Sequence, residues 1–252
     1  MTAFLKNYGK TLLFFAVIGL VGGFGVGFYL LDAYPEDMVQ EMLAQGMTPL
    51  PLALVTAVQS AGYGLVLGAA GIWLGKKTGL WRDERTITRT PLLRAVAVSV
   101  IGGMALILPD IFYFGKHIGA IAESYAAKPT VPYLIATVTY GAVIEEIMLR
   151  LFVMSLVAFL LWKVFARRQE MPSSGILIAA NIIAALLFAA GHLPTTAAMM
   201  GLTPMLIFRC FLLNGTFALA FGWLYRKYGL RYAMIAHGGC HVVSKLIWIL
   251  WL

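Results

Sequence analysis

The sequence predicts an all-α fold, a polytopic transmembrane bundle of about seven spans, within a range of roughly six to eight. Three observations predict it. Sixty-one per cent of the 252 residues are apolar and 12% are charged, against ~45–50% and ~25% in a soluble globular chain. Mean hydropathy is +0.85. The 19 lysines and arginines cluster in short segments between apolar runs, as the positive-inside rule expects of loops on one side of a membrane. The net charge of +8 therefore reads as topology, and nucleic acid is not an expected partner. Cys210 and Cys240 lie in apolar segments and are expected to be free, small packing residues.

The first span is predicted over about 11–31, after Lys6 and Lys10. It is too long, and lacks the cleavage pattern, for a removable signal peptide. Gly19, Gly23 and Gly27 fall at four-residue spacing and give one smooth helix face for close packing. The acidic stretch that follows (Asp32, Glu36, Asp37, Glu41) reads as outside. Span two covers about 49–74, with Gly64/Gly68 and Gly71/Gly75 in the same packing role. The basic loop from Lys76 through Arg82, Arg85, Arg89 and Arg94 anchors the cytoplasmic side. Span three runs over about 95–114, and 115–132 reads as an exposed loop. Span four starts near Pro132, and its apolar character continues to about Phe165. At 1.5 Å per residue that is ~50 Å of helix, beyond the ~30 Å hydrocarbon core. Either it projects out of the bilayer or it breaks near Arg150. Span five covers about 174–191, with Pro194 expected to stop it. Span six covers about 204–225, and span seven runs from Tyr232 to the C-terminus. With no long linker, low-complexity tract or internal repeat, residues 1–252 read as a single membrane domain.

The chemistry concentrates on spans four, five and seven. Glu145 and Glu146 interrupt an apolar run, and Arg150 follows four residues after Glu146. An ionised group at mid-bilayer costs ~2.5–3.5 kcal/mol or more, so intramembrane ionisable residues are functional candidates by default. His192, His237 and His241 lie in or beside apolar segments, and His237 and His241 share one helix face at i and i+4. If spans four and five form a hairpin turning near 169–172, His192 falls opposite about Leu149, within a turn of Glu146 and Arg150. Two carboxylates and up to three imidazoles can thereby face one pocket. Such a set suits amide hydrolysis: a carboxylate takes the proton of water while imidazoles or a metal orient it and stabilise the oxyanion.

At these residues the chain resembles the CPBP family of intramembrane proteases, the CAAX prenyl endopeptidase and bacteriocin-processing (Abi) proteins. The EExxxR motif is matched by Glu145-Glu146-Ile-Met-Leu-Arg150, and FxxxH by Phe188-Ala-Ala-Gly-His192. The third motif, a histidine with Asn or Asp four residues later, is matched in part by His237-Gly-Gly-Cys-His241, with histidine in the second slot. The resemblance covers about 132–244. It implies Glu145 as the base activating water, with His192 helping to hold it, and His237 and His241 binding the water or a metal or steadying the oxyanion. Glu146, Arg150 and Phe188 are supporting residues. For cofactors it implies either a divalent metal such as Zn2+, held by Glu145, His192, His237 and His241, or none. The implied partners are a membrane-associated protein or peptide substrate and the lipid bilayer.

Blander readings stand beside these. Glu146 and Arg150 at i and i+4 form a plain ion pair as readily as a catalytic one. Lys245 reads as snorkelling or as paired with a carboxylate. Arg209, Asn214 and Asn181 read as polar networking without chemistry. Two functional rivals are a transporter or ion-binding protein and an inactive immunity or scaffold relative. Transport predicts paired discontinuous helices or a two-fold internal repeat, and neither is found in the sequence. The small size and short loops point to a multi-pass protein of a prokaryotic cell membrane, N-terminus cytoplasmic. One conflict is built into this reading. With both basic loops inside, His192 falls near the outer end of span five and His237 near the inner end of span seven.

Overall fold

The computed structural model describes residues 2–83 and 86–252, so Arg85 of the basic loop lies outside the described residues. Seven helices among the described residues are long and apolar enough to cross a membrane. They are α1 (Ala3–Ala33), α2 (Pro49–Thr78), α3 (Arg89–His117), α4 (Val131–Phe165), α5 (Ser174–Met200), α6 (Pro204–Tyr228) and α7 (Leu230–Trp251). Their starts follow ordinary helix chemistry. Thr130, Ser173 and Thr203 each accept a hydrogen bond from a backbone N–H of the next first turn, and Pro132 and Pro204 sit where that turn needs no N–H. Much of the large apolar surface faces outward, including Leu13, Val58, Ile101 and Leu187. In water this would be a liability, whereas against lipid it is the expected outer face.

The glycine strip of α1 lies against α2. A Cβ at Gly19 would stand 2.5 Å from Ser60 O, and Gly23 and Gly27 face Thr56 and Ala53 in the same way. Gly64 returns the contact against Phe15 O. The small residues thus let two backbones touch, which is how helices associate where there is no hydrophobic drive between them. Gly23→Leu is expected to overpack this seam and lower stability by ~1–3 kcal/mol, read as a loss of thermal stability in detergent. Gly62→Leu, with nothing within 4 Å of the added carbon, is the control and should change little.

Helix α4 is the hub. Gly22 and Gly25 of α1 face the α4 backbone at Tyr140 and Pro132. Gly71 of α2 faces Leu151, and Gly238 of α7 faces Ala142. The ring contacts of Arg150 reach α5 and α6, and the hydrogen bond of Ser155 reaches α6. Helix α4 passes Arg150 without a break. Its extra length extends past α6, because Tyr225, three residues from the end of α6, is level with Ser155 (3.0 Å between hydroxyls), ten residues short of Phe165. Within α4 the hydrogen-bonding widens to π-type turns over Thr137–Ile144 and Ile147–Met154. The pair Glu145-Glu146 sits between the two. Such turns occur often at functional sites.

Two local expectations are corrected. Pro194 does not stop α5: the chain pauses at His192 and resumes at once as Leu193–Met200. Proline in a first helical turn forfeits no hydrogen bond, so it starts the new segment as easily as it would end the old one. The 115–132 connection is not simply an exposed loop. It carries the end of α3 and a short helix, Gly119–Ser124, with Ile121 fully buried. The basic ends of α1, the α2–α3 loop and the α6–α7 turn are gathered at one end of the bundle. Tyr8 bonds Lys76 and Asp83, and Arg82 bonds the Arg226 carbonyl.

Candidate functional site

One cavity of about 250 Å³ opens among α1, α3, α4, α5, α6 and α7, and Glu145, His192, His237 and His241 all line it. Their positions follow from the helices that carry them. Consecutive residues on a helix point in different directions, so Glu146 holds one nitrogen of the His237 imidazole while Glu145 faces the other without bonding it. Glu146 Oε1 accepts from His237 Nδ1 at 2.8 Å, while Glu145 Oε2 stands 3.9 Å from His237 Nε2. That bond leaves the Nε2 lone pair aimed at the cavity. Glu146 is fully buried and also meets Arg150 Nη1 at 3.2 Å. Glu145 differs: its side chain is 21% exposed and has no such partner.

His192 ends the Ser174–Gly191 helix, where its Nδ1 donates to Phe188 O four residues back at 2.8 Å. Its Nε2 is thereby left as an acceptor too. Phe188 links the two histidines that the depth estimate had separated, its ring centroid 4.6 Å from that of His192 and 6.0 Å from that of His237. A helical side chain leans toward the start of its own helix, which brings the His192 ring back down α5 toward His237. His237 is sandwiched between Phe221, stacked at 4.6 Å, and His241, stacked at 5.0 Å. His241 Nδ1 is buried and makes no hydrogen bond. Its other nitrogen lies beside Gly141, where a Cβ would approach to 3.1 Å and crowd the ring.

The supporting residues fall around this core. The Arg150 guanidinium lies over the Phe188 ring at 4.7 Å and the Phe221 ring at 5.4 Å. Among the described residues Lys245 pairs with no carboxylate; its ammonium sits over Tyr133 at 4.8 Å and Trp248 at 5.2 Å. Cys240 packs against Gly102, and Cys210 donates weakly to Ala189 O at 3.2 Å; both cysteines are free. Asn181 bonds Leu219 O at 3.0 Å and stays with packing.

Sequence reasoning missed three parts of the surroundings. Asn214, set aside as networking, lines the cavity. Tyr29, Tyr133 and Tyr140 bring hydroxyl-bearing rings to its wall. Asp110 is buried in α3, where it forms a two-pronged ion pair with Arg209 of α6 and accepts from Tyr125 Oη at 2.8 Å. A lone acid in one apolar span and a lone base in another were the available signal.

Among the described residues no three His, Cys, Asp or Glu side chains are gathered closely enough to hold a metal ion. The four donors named from the resemblance face a common space without forming a cage.

Fold and cavity together define a helical membrane protein with a carboxylate–histidine chamber enclosed among its spans. Residues 127–243 match the family model described as type II CAAX prenyl endopeptidase, Rce1-like. That segment, just under half of the chain, carries the first two motifs and the partly matched third, and is what the chain shares with CAAX-type proteases. Comparison with curated proteins and with solved structures found no match.

Proposed function

We propose that this protein is an intramembrane endopeptidase in which Glu145 activates water for attack on a peptide bond of a membrane-anchored protein or peptide. The observation that carries this reading is the pair of carboxylates around His237. One fixes the imidazole at 2.8 Å while the other stands free at 3.9 Å across its second nitrogen. A water between Glu145 and His237 Nε2 donates a hydrogen to each, which leaves its lone pair directed at the substrate. Glu145 takes the proton as the oxygen attacks the scissile carbonyl, and the carbonyl electrons move onto its oxygen. Asn214 Nδ2 and the Nε2–H tautomer of His241, whose Nδ1 has no partner, supply donors for that oxyanion. On collapse the C–N bond breaks and Glu145 returns the proton to the departing amine. His192 Nε2, held as an acceptor by the Nδ1 bond to Phe188 O, orients the water or the scissile N–H.

The test is a comparison of new protein N-termini in membranes of cells expressing the wild type or His192→Ala. A set of termini present with the wild type and lost with the variant is expected, at equal amounts of folded protein. Identical sets would overturn the assignment and favour an ion-binding or scaffold role. With purified protein and a substrate found this way, Asn214→Leu should lower kcat by ~10²–10³, the usual cost of one oxyanion donor.

A further inference from the structure

A second cavity, about 340 Å³, lies at the basic end of the bundle and shares no lining residue with the Glu145 chamber. It forms where the start of α1, the α2–α3 loop and the α6–α7 turn meet. Gly79, with φ of 73°, ends α2, and the chain folds back so that the Leu80 and Trp81 N–H groups both bond Gly75 O. Gly229, with φ of 101°, turns α6 into α7 on the other side.

The lining is divided by chemistry. Lys10, Arg82 and Arg231 supply cations at its rim, and Phe14, Phe15 and Met234 an apolar wall. Tyr8 and Trp81 add aromatic rings to the same lining, the residue type found at the level of lipid headgroups. Among the described residues the one carboxylate in the lining, Asp83, accepts from neutral donors: Trp81 Nε1 at 2.7 Å and Tyr8 Oη at 3.2 Å. Lys10 and Arg231 are exposed and make no ion pair among the described residues. Phe14 is 52% exposed on the outer face of α1, so the apolar wall continues onto the lipid-facing surface.

We propose that this cavity binds the phosphate group of an anionic membrane lipid, with Lys10 and Arg231 on the phosphate and the acyl chains along Phe14. A phosphate group could also arrive as the free ion, but the free ion has no use for the apolar wall. Basic pockets between membrane helices suit such headgroups because the charge attraction adds to burial of the chain. This site does not depend on the reaction assigned to Glu145.

The experiment is native mass spectrometry of the full chain in detergent, titrated with phosphatidylglycerol, phosphatidylcholine or inorganic phosphate. The wild type should retain phosphatidylglycerol in preference to phosphatidylcholine, and millimolar inorganic phosphate should not displace it. Lys10→Glu/Arg231→Glu should weaken retention by roughly tenfold or more, while Lys10→Arg/Arg231→Lys retains it; gel filtration confirms that both variants are folded. Equal retention of the two lipids, or undiminished retention by the charge-reversed variant, overturns the proposal. Displacement by inorganic phosphate overturns the lipid assignment in favour of a free anion.

Discussion

Glu145→Gln is expected to lower cleavage by at least ~10²–10⁴ while leaving the fold intact. The substitution keeps volume and hydrogen-bonding capacity and removes only the ability to take a proton, a function worth about that factor in general base catalysis. The fold should survive because, among the described residues, Glu145 approaches a polar partner only at His237 Nε2, 3.9 Å away, and its side chain is partly open to the cavity. Glu146, one residue on, makes the opposite prediction. It is fully buried, holds His237 and pairs with Arg150, so Glu146→Gln should cost stability as well as rate. The measurement is turnover in proteoliposomes alongside thermal unfolding in detergent. Turnover of Glu145→Gln within tenfold of the wild type would remove the glutamate from the role of base.

That contrast between neighbouring acids was only half legible in the sequence. The i, i+4 spacing of Glu146 and Arg150 already implied an ion pair, and the structure holds it at 3.2 Å. The hairpin reflection that set His192 opposite Leu149 was also sound to within a helical turn. Leu149 packs against the cluster of Ala185, Phe188 and Ala218, and Arg150 lies over the Phe188 ring. Glycine spacing announced the α1–α2 seam, because close backbone approach leaves a periodic local mark. The π-type turns on either side of Glu145-Glu146 leave none. They arise from packing against five other helices, which a periodic pattern does not encode. For the same reason Asp110, Arg209 and Tyr125 were invisible as a cluster: their positions lie 99 and 15 residues apart, and only the bundle brings them together. The depth conflict between His192 and His237 came from treating both helices as upright rods and their side chains as points. A ring that leans back along α5, and Phe188 filling the interval, remove it.

Arg150→Met is expected to destabilise the protein by ~3–5 kcal/mol, the usual cost of removing one partner from a buried ion pair. Arg150 is 2% exposed, and its charge is met by Glu146 Oε1 and by the faces of Phe188 and Phe221. Among the described residues its Nη1 and Nη2 make no hydrogen bond of good geometry, so the Coulomb attraction and the ring faces carry the compensation. Take the arginine away and Glu146 remains, buried, with only His237 Nδ1 to answer it. A loss of that size is a large fraction of the 5–15 kcal/mol that typically holds a folded domain, and a sharply lower unfolding temperature should be easy to read. The double variant Glu146→Gln/Arg150→Met tests the cause. With both charges gone, the desolvation cost goes with them, and most of the lost stability should return. Activity should recover less. A glutamine oxygen still accepts from His237 Nδ1 and keeps the ring aimed, but it no longer polarises the imidazole, so turnover should stay ~10–100-fold low, as for other residues that orient a reacting histidine from behind. An unfolding temperature unchanged in Arg150→Met would mean that the pair carries no weight in the bundle. Full activity in the double variant would mean that Glu146 does not tune His237, and the chemistry would then rest on Glu145 and the cavity histidines alone.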